Sequence, residues 1–189
     1  MAGVSPPDDR GRASMGKVSR QRGVSLIEVL MAVLIFSVGL IGVAGLLVMA
    51  ARSNHAAYLR TQVTFLAGNM ADRMRANPQG VWTGAYNASS YPTSSKQSCT
   101  NTSACTPAQL AVRDQYMWSQ MLTNLLPVAT ASISCTGADA MDYNPSGQLG
   151  ARPPYGGNCE MTISWSERHA GDASHSDAAQ QTFAWEFQP

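Results

Sequence analysis

No cysteine occurs before Cys99, no charged residue lies between Val29 and Ala51, and only 13% of the chain is charged at all. Each scarcity excludes something. A nucleic-acid binder needs a recurring basic stripe, and residues 24–189 hold eight basic against ten acidic side chains. The basic surplus sits instead in residues 1–23, where Arg10, Arg12, Lys17, Arg20 and Arg22 face only Asp8 and Asp9. A structural zinc site needs paired cysteines two to four residues apart, and the gaps among Cys99, Cys105, Cys135 and Cys159 do not supply them. No catalytic constellation stands out. Ser166, His169 and Asp172 have the residue types of a triad, but they fall in a hydrophilic stretch with nothing to fix their geometry. His169 and His175 in that stretch, and the "NTS" triplet at Asn101–Ser103, read as loop and turn. The sequence therefore predicts no enzyme, no cofactor, no metal and no nucleic-acid partner.

What is present begins with the 23-residue charge-free run Val29–Ala51. As a helix rising about 1.5 Å per residue it reaches about 35 Å, enough to cross a hydrocarbon layer of about 30 Å. The basic end preceding it predicts retention of residues 1–23 in the cytoplasm and export of the rest. Export places all four cysteines on the oxidising side, where an even number favours disulfides. A cleaved secretory signal would have a shorter apolar core, of about 7–15 residues. A plain transmembrane anchor would make Glu28 an interfacial residue near the helix start, favoured slightly by the helix dipole.

The local order "RQRGVSLIEVLMAVLIFSVGLIGVAGLLVMA" separates these readings: a basic flank, Gly23, an apolar residue, then Glu28 and the span. It resembles the type IV prepilin processing site. The resemblance implies a membrane peptidase and N-methyltransferase that cuts between Gly23 and Val24 and methylates Val24. It also implies assembly with other major and minor pilins, with Glu28 as the assembly residue. Val24 stands where phenylalanine is commonest in that family. Cleavage would turn an amide at Val24 into a cationic amine, the natural counter-ion for Glu28 in the same chain or in a neighbour. Leaders in this family are often short. Met15, which begins "MGKVSRQRG", is accordingly expected to be the working start.

Beyond the span, Leu59, Val63, Leu66, Met70 and Met74 recur at helical spacing. Arg52, Arg60, Asp72, Arg73 and Arg75 occupy other faces, and Pro78 ends the pattern near Asn77. One helix over roughly 25–76 is expected. The segment "ARSNHAAYLRTQVTFLAGNMADRMRANP" resembles the post-membrane region of the PilV-type minor pilins, and weaker similarity returns at "DQYMWSQMLTNLLP". A pseudopilin of a secretion filament, or a tethered periplasmic protein, remains the alternative.

Residues 81–106, rich in Ser, Thr, Asn and Gly, read as a surface loop. Thr106, Pro107 and Gln109 open a second helix with a capping box, whose apolar face reads as Leu110, Met117, Met121 and Leu125. Val128–Ser134 is a candidate strand. "CEMTISWSE" and "QTFAWEF" alternate, with Met161, Ile163, Trp165 and then Phe183, Trp185, Phe187 facing inward, as an antiparallel pair. The expected fold is α+β and pilin-like: a basic leader 1–23, a membrane-spanning and assembly segment 24–51, and a periplasmic head 52–189 in which the helix packs on a small antiparallel sheet. The preferred disulfides are Cys99–Cys105, which can close locally, and Cys135–Cys159, which bracket the turn-rich segment between two candidate strands.

Overall fold

A computed structural model describes residues 23–100, 102–136, 145, 147–168 and 178–189. Residues 1–22 of the leader, including Met15 and the basic residues, lie outside them, as do Asn101, His169, Asp172 and His175.

Helix α1 runs Leu26–Ala76 without interruption. The chain divides into two compact units, one ending at Ala44 and one formed by Gly45–Pro189. In the first unit every described residue is exposed, including Leu34, Ile35, Phe36 and Ile41. α1 contains a stretch long and apolar enough to cross a bilayer. The side chains of that stretch find no cover within the chain, which suits a lipid or helix-bundle environment.

In the second unit α1 buries the stripe Leu59, Val63, Leu66, Ala67, Met70, Ala71 and Met74. α1 stops where Pro78 denies helical geometry to Asn77, whose backbone sits at φ −129°. Asn77 then caps a short helix α2, Pro78–Trp82, its side-chain oxygen accepting from the Gly80 N–H at 3.2 Å. Strand β1 (Ala88–Tyr91), helix α3 (Pro107–Leu125) and strand β2 (Thr130–Thr136) follow. A 3-10 turn at Leu149–Ala151 precedes strands β3 (Asn158–Arg168) and β4 (Ala178–Phe187). The sheet order is β1-β2-β3-β4 with every pairing antiparallel. Its inner face, with Ile133, Met161, Ile163 and Trp165, shares one core with the α1 stripe and with Trp118 and Leu122 of α3. This is the α+β architecture that the alternating strands and helical stripe predict, and it is pilin-like, as the resemblance implies.

Two expectations are corrected. Residues 81–106 are not all loop: β1 pairs with β2 through Ala88↔Ile133 and Tyr91↔Ala131. A bulge lies between these pairs, and Ser89 and Ser90 carry no strand signature, so the alternation a reader looks for is missing. The buried face of α3 is also displaced. Ala111, Asp114, Trp118, Ser119 and Leu122 are buried, whereas Met117 is 45% exposed and Leu110, Met121 and Leu125 lie only at the margin. Trp118 sets that rotation: its indole N–H donates to the Leu66 carbonyl of α1 at 2.9 Å and its ring meets Tyr91 edge-on. The capping box itself is present, with Thr106 and Gln109 exchanging side-chain and backbone bonds.

Candidate functional site

The sequence-derived residues Gly23, Val24 and Glu28 fall at the start of α1. Gly23, Val24 and Ser25 are exposed and lie outside the helix, which opens where the Ser25 carbonyl accepts from the N–H groups of Glu28 and Val29 at 3.0 and 3.3 Å. Glu28 therefore occupies the first turn, where free N–H groups and the helix dipole favour negative charge. An exposed peptide bond outside a helix can enter a protease cleft, whereas one inside a helix must first be unwound. Among the described residues Gly23 has nothing within 4 Å of where a Cβ would stand, so a glycine requirement there would come from an outside partner. The same holds at Gly39, Gly42 and Gly45, whose bare backbones leave room for a second helix.

The head has a polar centre that hydrophobic periodicity could not reveal. Asp114, on the buried face of α3, accepts from Arg73 of α1 at 3.0 Å and from the Tyr86 hydroxyl at 2.8 Å. Tyr86 in turn accepts from the Asn77 side-chain amide at 3.1 Å, and that amide also donates to the Pro107 carbonyl at 2.8 Å. Four residues thus tie the last turns of α1 to α2, to the loop after it and to the start of α3. Gly80 is required for this packing, because a Cβ there would strike the Asn77 side chain. Burial pushes the Tyr86 phenol well above its ordinary range, the Asn77 bond opposing and the Asp114 charge reinforcing the rise. Tyr91 moves the same way, again chiefly through burial. The only sequence signal for this centre was an aspartate on the apolar side of a helix. Buried carboxylates need donors, and Arg73 and Tyr86 supply them.

The cysteines are joined as Cys99–Cys105 and Cys135–Cys159. Cys135 and Cys159 are direct cross-strand partners in β2 and β3, and Cys159 is fully buried in the core. Cys99–Cys105 closes a small ring just ahead of α3. Among the described residues no cluster of three metal-ligating side chains occurs. Ser166 is committed to the sheet, its N–H donating to the Pro127 carbonyl at 3.0 Å.

Comparison with curated proteins and with solved structures yields no match. Two family models do match. A prokaryotic N-terminal methylation motif covers residues 18–44, the stretch containing Gly23, Val24 and Glu28. A model described as type IV pilin Tt1218 covers residues 45–116, from within α1 to the middle of α3. Behind the N-terminal methylation motif, the chain thus matches a type IV pilin family model over residues 45–116, the stretch that holds the α1 stripe of the helix-on-sheet head.

Proposed function

We infer that this type IV pilin is a minor, PilV-type subunit that is cut between Gly23 and Val24, methylated at Val24, and then built into a pilus or used to prime one. The observation that carries the reading is the order of parts: basic flank, glycine, a glutamate in the first helical turn, and an apolar span continuing unbroken into a disulfide-bonded head. The basic flank stays cytoplasmic, the span sits in the inner membrane, and the head lies in the periplasm before extraction into the fibre.

Charge explains why cleavage precedes assembly. A lone carboxylate at the centre of a membrane helix costs about 2.5–3.5 kcal/mol on insertion scales. Before cleavage Val24 offers only an amide. Afterwards its ammonium pairs with Glu28 of the same chain or of the neighbour against which it packs, and the carboxylate becomes tolerable away from water.

The test follows protein extracted from membranes by intact mass and N-terminal sequencing. A mature chain starting at methylated Val24 is expected, and a chain retaining residues 1–23 would overturn the reading. Glu28→Gln should still insert and be cleaved, yet be depleted several-fold from sheared pili. Entry into pili at the parental level would sink the charge-pairing account. A deletion strain should lose pili while secretion stays intact. Lost secretion with intact pili would assign the chain to a secretion filament instead.

A further inference from the structure

We propose that the free edge of β4 is a strand-addition site that takes one extended segment of a partner protein, apolar on its inward side and carrying a carboxylate there.

The backbone register shows which groups the edge offers. Cys135 donates its N–H at 2.9 Å to the side-chain oxygen of Asn87, on the β1 side, so its main-chain groups turn away from β3. Its partner Cys159 therefore turns toward β4 and bonds with Phe187. Ser166 agrees, because its N–H reaches the Pro127 carbonyl on the β2 side. Alternation along β4 then commits Gln181, Phe183, Trp185 and Phe187 to β3. Gln180, Thr182, Ala184 and Glu186 present N–H and C=O outward, and among the described residues none of these finds a backbone partner.

The two edges of the sheet are built differently. β1 is four residues long and bulged, two features that blunt an edge. β4 is ten residues long, pairs with β3 without a bulge from Ala178 to Phe187, and contains no proline, lysine or arginine. Its single charge, Glu186, is held by the Asn158 side-chain amide at 3.0 Å. An edge of this length, uncovered among the described residues, is a template for another strand.

Beside it, a groove of about 250 Å³ lies between α1 and the inner face of β4, lined by Val63, Trp165, Phe183 and Arg60 among others. Side chains on the inward face of an added strand would enter that groove. Val63, Trp165 and Phe183 form its apolar part beside the polar Thr64, Gln181 and Thr182, and Arg60, exposed and without an ion pair among the described residues, stands at it as the one charge. That combination selects apolar residues and one carboxylate. A second copy of this chain fits poorly. Its β1 edge is too short, and two-fold pairing of β4 with β4 would reverse α1, which copies anchored in one membrane cannot do. That last exclusion rests on the membrane anchoring proposed above.

The test uses the full chain in detergent and a synthetic ten-residue peptide alternating threonine with valine, one valine being replaced by glutamate. Amide exchange is followed by NMR. In the free protein the amides of Gln180, Thr182, Ala184 and Glu186 should exchange fast, and those of Gln181, Phe183 and Trp185 slowly. Peptide should slow the first set at least about tenfold and leave the second unchanged. Ala184→Pro removes an outward N–H without touching the β3 ladder and should abolish the effect. Arg60→Gln should weaken binding by up to about fivefold at low salt, the range of an exposed ion pair. Failure of the peptide to protect the outward amides, or equal protection in Ala184→Pro, would overturn the proposal. Protection that appears without peptide and grows with protein concentration would also overturn it, making a second copy the occupant.

Discussion

Tyr86→Phe removes one oxygen from the centre of the head and leaves the shape of the ring unchanged. The Tyr86 side chain is fully buried. Its hydroxyl donates to Asp114 at 2.8 Å and accepts from Asn77 at 3.1 Å. After the change Asn77 keeps its bond to the Pro107 carbonyl and Asp114 keeps Arg73, but one carboxylate oxygen loses its donor. A hydrogen bond to a charged group contributes about 1.5–3 kcal/mol net. The phenylalanine ring fills the same space, so no cavity cost is added. For a head of this size each kcal/mol moves the melting temperature by about 2–4 °C, giving an expected fall of roughly 3–12 °C. The assay is urea unfolding followed by tryptophan fluorescence, since Trp118 and Trp165 are both buried. The midpoint should fall while the denaturant slope stays constant. Combining Tyr86→Phe with Asp114→Asn closes a double-mutant cycle. Additivity within about 0.5 kcal/mol would show that the two groups are not coupled and would refute the account of this centre.

Above the ordinary phenol range near pH 10, Tyr86 and Tyr91 keep protons in the fold that the unfolded chain has released. Their folded pKa values are raised, so stability is full below about pH 10 and falls as pH rises, by up to about 1.4 kcal/mol per pH unit for each tyrosine. Stability measured between pH 9 and 11 should show this slope, and Tyr91→Phe should lessen it; an unchanged slope would refute the burial argument. Replacing both cysteines of Cys135–Cys159 with serine should cost about 3.5 kcal/mol in the chain-entropy model, against about 2.4 kcal/mol for Cys99–Cys105, because the first closes the longer loop. Equal midpoints for the two double variants would contradict that ordering. Val128 is 83% exposed and holds φ at +48°, a conformation that a β-branched residue disfavours by about 1–2 kcal/mol. Val128→Asn should therefore raise the melting temperature by a few degrees, and a lower value would mean the turn gains something from valine.

The long helix, the capping box and the β3–β4 pair were legible because each depends on neighbours in sequence. Thr106 and Gln109 are three apart, and Met161, Ile163 and Trp165 alternate without a break. The apolar stripe of α1 was likewise readable from Leu59 to Met74. The buried face of α3 was not, because two of its residues, Asp114 and Ser119, are polar. Their burial is made tolerable by Arg73 and Tyr86 in one case and by the Gln115 carbonyl and the Thr93 N–H in the other. Ranking side chains by hydrophobicity selects the wrong side of such a helix. β1 escaped for a related reason: Ser89 and Ser90 are exposed in a bulge, and only Tyr91 is fully buried, with Ala88 at the margin of the core. At the start of α1 the motif named Gly23, Val24 and Glu28, but the chemistry proposed for them would depend on a peptidase and on neighbouring subunits that no single chain contains.

The Cys135–Cys159 bridge has a mechanical side. Were the head built into a fibre, as proposed above, and pulled along its chain, the length it could release would be set by how much of that chain is free to extend. The bridge short-circuits 24 residues between β2 and β3, withholding roughly 80 Å of contour at about 3.3–3.6 Å per residue. Cys99–Cys105 withholds six more, roughly 20 Å. A head drawn open under load would therefore extend in a shorter step. Its β2–β3 strand pair would stay joined at Cys135 and Cys159, leaving a seed on which the sheet can close again once tension falls.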